Sequence, residues 1–322
     1  MRKLISLLVA VVLTMSLATV AFAADWDGTY TPVEAGTTFE EITKTYTNES
    51  NVVVSETLSF TPVANTANPD SGTGNISVAD FIVGTDENIV VTLPGYDKVG
   101  TYRYTITEDA GTAAGVTYST DTIHVIVLVE YDNVEHKLVI AETSSYIEKI
   151  DGAKDKDFEN TFKSGSFTVA KDVTGNLANE TDTFEITVTL TAPEGKTICN
   201  PITVGGETVT ADQWENGVYT KVLTISENSG AVTFDDIPVG VMVNVEETDA
   251  KEYTYVSTKI GETDFAEYAI DDETENNIVV TNQKTTSVET GIITDSAPYI
   301  ILIAVCAMAA VLFVTKRRSV EF

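Results

Sequence analysis

The chain has few of the residues and motifs that catalytic and cofactor-binding sites require. It contains two histidines and two cysteines among 322 residues, and neither histidine falls in a metal-ligand spacing. Cys306 lies in an apolar C-terminal run, so Cys199 is the one thiol of the mature region, which cannot form an internal disulfide. No nucleophile elbow, phosphate-binding loop or H-E-x-x-H motif is present. We therefore expect a protein that is not an enzyme and that needs no metal and no cofactor.

Basic residues are also scarce. The chain has 19 Lys and Arg against 49 Asp and Glu, a formal net charge of −30, and five of the basic residues lie at the two ends. A phosphate backbone or an anionic membrane surface needs the opposite sign, so we expect no nucleic-acid partner. The acid excess also raises the alternative of a calcium-binding surface module. Asp155-Lys156-Asp157 and Asp271-Asp272-Glu273 lack EF-hand spacing, which favours a solvated acidic surface.

The N-terminal 23 residues have the pattern of a secretory signal peptide. Arg2 and Lys3 form a basic start, residues 4–20 are mostly apolar, and Ala21-Phe22-Ala23 is a small-residue cleavage site. We expect the mature chain to begin at Ala24.

The C-terminus carries a second apolar run, from Ala297 to Thr315. As a helix it would measure about 28 Å, which roughly spans a bilayer core. Lys316-Arg317-Arg318 follow, and basic clusters prefer the cytoplasmic side. The two ends together predict an extracellular, cell-surface protein that contacts the membrane only through this C-terminal helix.

The residues between the two ends predict an all-β fold. No segment sustains a 3.6-residue apolar period, whereas alternating and β-branched runs such as 123–129 and 184–190 are frequent. Turn residues separate these runs at short intervals, which is typical of antiparallel, immunoglobulin-like β-sandwiches. An internal repeat divides the region into two tandem domains, residues 24–162 and 163–284, and residues 285–322 follow as a tail.

Each unit places one Lys, one Glu and one Asn on the same strand face as apolar residues. Side chains alternate faces along a strand, so parity with apolar neighbours predicts that these polar groups point into the core. They are Lys44, Glu108 and Asn160 in the first unit, and Lys171, Glu247 and Asn282 in the second.

A buried charge must pair or lose its charge, and the sequence leaves both outcomes open. A neutral Lys amine beside an Asn carboxamide is a nucleophile facing an electrophile, and a protonated Glu would polarise the amide and move protons. The product would be a Lys–Asn isopeptide bond, formed with loss of ammonia. The alternative is a buried Lys–Glu ion pair with Asn as a hydrogen-bonding neighbour.

Four short motifs resemble Gram-positive pilin subunits and related isopeptide-containing surface adhesins. GTYRYTITE at 100–108 and FENTF at 158–162 are similar to the pilin isopeptide-linkage domain. FTVAKDVTGN at 167–176 and VNVEETD at 243–249 are similar to the collagen-adhesin B-type domain. The resemblance implies that Lys44 bonds Asn160 with Glu108 assisting, and that Lys171 bonds Asn282 with Glu247 assisting.

The resemblance also implies a sortase sorting signal before the apolar tail. Thr290-Gly291 match the scissile pair, so sortase would cut after Thr290 and transfer it to peptidoglycan or to another pilin subunit. The Pro of the usual pentad is missing, because Val288 or Glu289 stands in its place. A permanently membrane-anchored protein is the alternative, since the apolar helix alone suffices as an anchor.

A polymerising pilin needs an acceptor lysine, which the resemblance places late in the first domain. The candidates are Lys149, Lys154 and Lys156, and a solvated charge run is the alternative for each. Residues 214–221 resemble another pilin acceptor motif but are interpreted as an ordinary hairpin. The predicted function is a pilin shaft subunit or pilin-like adhesin. A non-polymerised adhesin that binds a host or matrix ligand remains the alternative.

Overall fold

The computed structural model describes residues 30–48, 52–69, 74–149, 152–155 and 157–286. The all-β prediction is confirmed, because these residues form strands with only two short 3-10 helices, Ala211–Gln213 and Glu227–Ser229. The first twelve strands are β1 (Thr38–Asn48), β2 (Thr57–Leu58), β3 (Phe60–Ala64), β4 (Ser77–Val78), β5 (Phe81–Ile82), β6 (Asn88–Thr92), β7 (Gly100–Glu108), β8 (Val116–Thr117), β9 (Thr122–Asp132), β10 (Lys137–Glu148), β11 (Lys154–Asp155) and β12 (Asp157–Phe162). The remaining strands are β13 (Ser164–Thr174), β14 (Phe184–Thr191), β15 (Ile202–Val204), β16 (Glu207–Val209), β17 (Val218–Ile225), β18 (Val232–Pro238), β19 (Met242–Asp249), β20 (Thr254–Ile260), β21 (Thr263–Asp264), β22 (Tyr268–Ala269) and β23 (Asn276–Gln283).

Strands β1 to β12 build a first unit around its own core. One sheet has the order β4-β6-β1-β12-β8, a second has the order β11-β10-β9-β7-β3, and β2 pairs with β5. Alternate residues of both five-stranded sheets are buried, including Ile42 and Phe158 from the first and Tyr104, Ile106 and Val125 from the second. The period-two alternation therefore places the two sheets face to face across one apolar layer.

Strands β13 to β23 build a second unit in the same way. A seven-stranded sheet, β16-β15-β18-β13-β23-β20-β21, faces a four-stranded sheet, β17-β14-β19-β22. The core between them includes Phe167 and Val280 from the larger sheet and Ile186, Val188 and Val243 from the smaller. Lys163 alone separates β12 from β13, so a single residue links the two units.

The first and last strands of each unit are neighbours and run parallel. β1 pairs with β12 over Thr43–Asn48, and β13 pairs with β23 over Phe167–Thr174. The sequence predicts antiparallel sandwiches, and most other pairs are antiparallel. The parallel pairing of the first and last strands has a topological reason, because the chain enters and leaves each unit running in the same direction.

Backbone hydrogen bonds join the two units beside Lys163. The Thr197 amide donates to Thr112 O at 2.8 Å, and the Ala114 amide donates to Thr197 O at 2.8 Å. The Lys163 amide donates to Gly115 O at 2.9 Å, where Gly115 has a φ of +74°. A short parallel β-bridge between the units therefore lies next to the one-residue link.

Several predicted features lie outside the described residues. These are the signal peptide at 1–23, the Thr290-Gly291 sortase pair, the apolar run at 297–315 and Lys156. Among the described residues, none of the helices is long and apolar enough to cross a membrane.

Candidate functional site

The first candidate site lies in the core of the first unit, where β1, β7 and β12 meet. Lys44 lies on β1 on the same face as the buried Ile42, and Glu108 is the last residue of β7. Asn160 lies on β12 between Phe158 and Phe162 and is completely buried. The side chains of Lys44 and Glu108 have no exposed surface. Strand parity thus brings the three predicted polar groups together inside an apolar layer.

The three side chains form a closed hydrogen-bonded triangle. Lys44 Nζ donates to Glu108 Oε2 at 2.5 Å and to Asn160 Oδ1 at 2.7 Å. Asn160 Nδ2 donates to Glu108 Oε1 at 2.6 Å. One carboxylate oxygen therefore faces the amine and the other faces the amide nitrogen. The Lys44 amine touches the carboxamide that it would have to attack.

The apolar surroundings of Lys44 affect the pKa of its ammonium group. Burial lowers the pKa of the Lys44 ammonium, and the hydrogen bond and charge of Glu108 oppose part of that effect. The Nζ atom lies 4.2 Å from the centroid of the Phe158 ring, which supplies a low-dielectric wall. Burial therefore makes the Lys44 ammonium easier to deprotonate than that of an exposed lysine.

Sequence reasoning missed a fourth member of the first site, the backbone amide of Ser119. This amide donates to Asn160 Oδ1 at 2.9 Å from the loop between β8 and β9. Asn160 Oδ1 thus accepts two hydrogen bonds, one from Ser119 and one from Lys44. A backbone donor has no side-chain signature, so no sequence pattern could have pointed to it.

The second candidate site lies at the matching place in the second unit. Lys171 on β13 and Glu247 on β19 have buried side chains, and their Nζ and Oε1 atoms are 3.4 Å apart. Asn282 on β23 is completely buried, and its Nδ2 donates to Glu247 Oε1 at 2.8 Å. Burial lowers the pKa of Lys171, whose Nζ lies 4.5 Å from the Phe184 ring centroid. The structure therefore brings together the second predicted set as well.

The second set is less completely hydrogen-bonded than the first. Lys171 Nζ donates to the Val280 carbonyl at 3.1 Å, and no hydrogen bond to Asn282 is present in the described structure. Asn282 Oδ1 and Glu247 Oε2 are buried and make no hydrogen bond with the described part of the chain. The two sites share their residue types and strand positions but differ in their hydrogen bonding.

Two of the candidate acceptor lysines, Lys149 and Lys154, lie within the described residues near the end of β10. Lys149 pairs with Asp121 at 3.1 Å, and its side chain is partly covered. Lys154 is exposed on β11, with its Nζ 4.1 Å from the Tyr146 ring centroid. At the other lookalike motif, Glu215 bridges to Val218 across a tight turn, as the hairpin interpretation predicts.

The two units match two protein families. Residues 38–163 match a family described as Spy0128-like isopeptide containing domain. Residues 165–284 match a family described as Domain of unknown function (DUF7601). The collagen-adhesin B-type likeness of the second unit remains a prediction.

Proteins of one bacterium are similar to most of the chain. A Streptococcus pyogenes serotype M1 protein called Pilin is 29% identical over 270 residues, which cover 78% of this chain and 75% of the relative. Crystal structures of two mutants of the major pilin from Streptococcus pyogenes align with TM-scores of 0.50, at 22% and 21% identity. Each alignment covers 79% of this chain and 100% of the pilin chain. At that identity, the structural likeness shows a shared fold.

Proposed function

Because the chain is a pilin subunit of the Gram-positive type, we propose that it is a shaft subunit braced by two internal Lys–Asn isopeptide bonds. The match of residues 38–163 and the relative called Pilin confirm the predicted kinship with such subunits. In this proposal the described region consists of two tandem immunoglobulin-like sandwiches. Each sandwich carries one bond between its first and last strands.

A single observation carries the proposal for the first domain, namely the position of Glu108 between amine and amide. Its Oε2 accepts from Lys44 Nζ, and its Oε1 accepts from Asn160 Nδ2. The same carboxyl group is thus placed to take a proton at one oxygen and return one at the other.

The proposed reaction balances with these three groups alone. Glu108 takes a proton from the Lys44 ammonium, and the neutral amine attacks Asn160 Cγ. The Cγ–Nδ2 bond then breaks, and one proton passed from the attacking nitrogen through Glu108 converts the leaving group to ammonia. The new Nζ–Cγ amide remains, and the remaining proton of the former ammonium stays on Glu108. No oxidant, metal or cofactor enters the balance.

The second domain supports the same proposal for Lys171, Glu247 and Asn282. Glu247 Oε1 lies within reach of both nitrogens, at 3.4 Å from Lys171 Nζ and 2.8 Å from Asn282 Nδ2. A hydrogen bond from the Lys171 amine to the Asn282 carboxamide would complete the arrangement seen in the first domain.

Export and assembly complete the proposal. The signal peptide would direct the chain outside the cell, and the C-terminal helix would hold the precursor in the membrane. Sortase would cut after Thr290 and join that residue to a lysine of another subunit or to peptidoglycan. Among the acceptor candidates, exposure favours Lys154 over Lys149. In this role the protein is structural and catalyses no reaction on an external substrate.

The intact mass of a recombinant fragment, residues 24–286, tests the proposal. Each bond removes one ammonia, about 17 Da. We expect a deficit of two ammonias in the unmodified fragment and of one in Glu108→Ala or Glu247→Ala. Glu246→Ala is the matched control, because Glu246 is exposed and adjacent in sequence to Glu247, so it should keep both losses. An unmodified mass would leave only buried ion pairs and would overturn the proposal.

A further inference from the structure

The oxygen of the Asn160 carboxamide is held by a backbone donor that the proposed reaction has not yet used. Ser119 N–H donates to Asn160 Oδ1 at 2.9 Å, in a region where Asn160 has no exposed surface. The remaining donor to this oxygen in the described structure is Lys44 Nζ at 2.7 Å. The two donors have different fates when the amine reacts.

Attack on Asn160 Cγ puts negative charge on Oδ1. As Lys44 Nζ moves from Oδ1 to Cγ, it becomes a substituent of the tetrahedral carbon and no longer donates to the oxygen. The Ser119 N–H stays in place and faces the atom on which charge develops. A fixed donor at such a position lowers the barrier, because it needs no reorganisation during the reaction.

Hydrogen bonds and an ion pair hold the loop that presents this amide. Ser119 Oγ accepts from the Asp121 amide at 3.2 Å, and Asp121 pairs with Lys149 at 3.1 Å. Tyr118 OH accepts from the Ala113 amide at 2.8 Å and donates to Glu56 Oε1 at 2.5 Å. Tyr118, before Ser119, and Asp121, two residues after it, are therefore tied to neighbouring segments.

We propose that the Ser119 backbone N–H is the oxyanion-stabilising donor for isopeptide bond formation in the first domain. The inference rests on the proposed Lys44–Asn160 bond and adds a catalytic group to it. The donor changes no stoichiometry, since ammonia is still the only product released. Its work ends when the tetrahedral intermediate collapses to the new amide.

The second domain offers an internal comparison. Asn282 Oδ1 is equally buried, but it makes no hydrogen bond with any described residue. A carboxamide oxygen without a donor must develop its charge unassisted. In one molecule, the Lys44–Asn160 bond should therefore form before the Lys171–Asn282 bond.

The test replaces the Ser119 N–H by an ester oxygen in the full 322-residue chain. Cell-free translation in detergent yields two matched proteins, Ser119→Ala and the same chain with lactic acid in place of that alanine. Both lack the hydroxyl, and they differ only in the donor. Samples are quenched at intervals and digested, and cross-linked and linear peptides of each domain are counted by mass spectrometry.

We expect the ester to slow the first-domain bond by about 10²–10³-fold and to leave the second-domain bond unchanged. Ser119→Ala keeps the backbone donor, so its first-domain rate is the reference against which the rate of the ester chain is read. Equal first-domain rates in the ester and alanine chains would overturn the role of Ser119. Absence of the first bond in the unmodified chain would instead overturn the proposed function itself.

A second measurement needs no substitution, so it remains informative if the ester chain does not fold. The unmodified chain is followed through the same quench series, and the two bonds are timed against each other. A first-domain bond that appears earlier supports the inference. A second-domain bond that appears as early or earlier overturns it.

Discussion

Lys44 and Lys171 hold the same register relative to a buried asparagine. Each lies opposite the residue two positions before its Asn on the neighbouring parallel strand, Asn160 in the first unit and Asn282 in the second. The two units therefore repeat in the register of their strands as well as in their amino-acid sequence. Two different cores have placed the same three residue types at equivalent points of the fold.

Loss of one bond should destabilise mainly the domain that contains it. Lys44 and Asn160 are 116 residues apart, and the loop-entropy relation for cross-links gives roughly 5 kcal/mol for a loop of that length. Asn160→Ala also leaves the buried Ser119 amide without its acceptor, which adds about 1–3 kcal/mol. Differential scanning calorimetry should show one transition shifted to lower temperature and the other nearly unchanged.

Asn282→Ala is the mirror-image control for this prediction. The two domains have separate apolar cores, so the affected transition should be the other one. Equal losses in both transitions for either variant would contradict independent bracing of the two domains.

Bond formation in the first domain should be insensitive to pH near neutrality and slower in alkali. The reactive form, a neutral Lys44 amine with a protonated Glu108, carries the same number of protons as the ion pair. The rate is therefore flat while the pair keeps its one proton. Burial lowers the pKa of Lys44 from the usual lysine value of about 10.4. As the pH is raised, the pair should therefore lose this proton, and the rate should begin to fall, before the pH reaches that value.

Refolding measures this pH dependence. The chain is kept unfolded in urea from its synthesis onward, so that no bond has formed. It is then diluted into buffers of graded pH, and the loss of ammonia is followed by mass spectrometry. Asp121 and Glu159 also act on the charge of Lys44, so Asp121→Asn should move the alkaline fall to lower pH. A rate that climbs steadily with pH up to 10 would exclude the proton-sharing role of Glu108.

Gly115→Ala should weaken the contact between the two domains beside Lys163, which we call the joint, without affecting either isopeptide bond. A Cβ at Gly115 would lie 2.5 Å from Lys163 O and 3.1 Å from Pro238 Cβ, at a φ of +74°. Gly195→Ala is matched, because Gly195 has a φ of +72° and nothing within 4 Å of the added Cβ. Both variants carry the left-handed backbone cost of about 1–2 kcal/mol, but only Gly115→Ala should disturb the contact.

Small-angle scattering and limited proteolysis at Lys163 measure the joint. We expect a broader distribution of particle dimensions and faster cleavage in Gly115→Ala alone, with the ammonia losses unchanged in both variants. Similar behaviour of the two variants would mean that the contact at Gly115 does not hold the domains.

Lys154→Arg should abolish covalent multimers if polymerisation uses the exposed candidate. Arginine keeps the charge but cannot take the place of the acceptor amine. Lys149→Arg should still polymerise, because Lys149 is engaged with Asp121. Immunoblots of cell-wall extracts should show the multimer ladder lost in the first variant and kept in the second. A ladder that persists in Lys154→Arg and disappears in Lys156→Arg would move the acceptor to Lys156.

Strand alternation predicted which polar residues are buried. Lys44 and Asn160 share parity with apolar neighbours, and the structure encloses both in the core. The same rule holds for Lys171 and Asn282 in the second unit. Period-two patterning is a local property, so it can be followed along a single sequence.

The pairing of distant strands and the backbone hydrogen-bond donors could not be predicted from the sequence. The parallel pairing of β1 with β12 joins segments more than a hundred residues apart, and no local pattern distinguishes it from an antiparallel pair. The contact between Ala114 and Thr197 depends on how two finished domains meet. The Ser119 amide is a group that every residue except proline possesses, so composition gives it no signal.

The neighbouring positions of β13 and β23 would limit how far a filament of these subunits can stretch. A pull from β12 to the end of β23 would cross from Lys171 to Asn282 through the proposed bond. The intervening residues, about 110, would span roughly 370 Å if drawn out at ~3.4 Å each. Because the proposed bond would carry the force past these residues, they could not unfold and extend. The second domain would therefore transmit tension without lengthening.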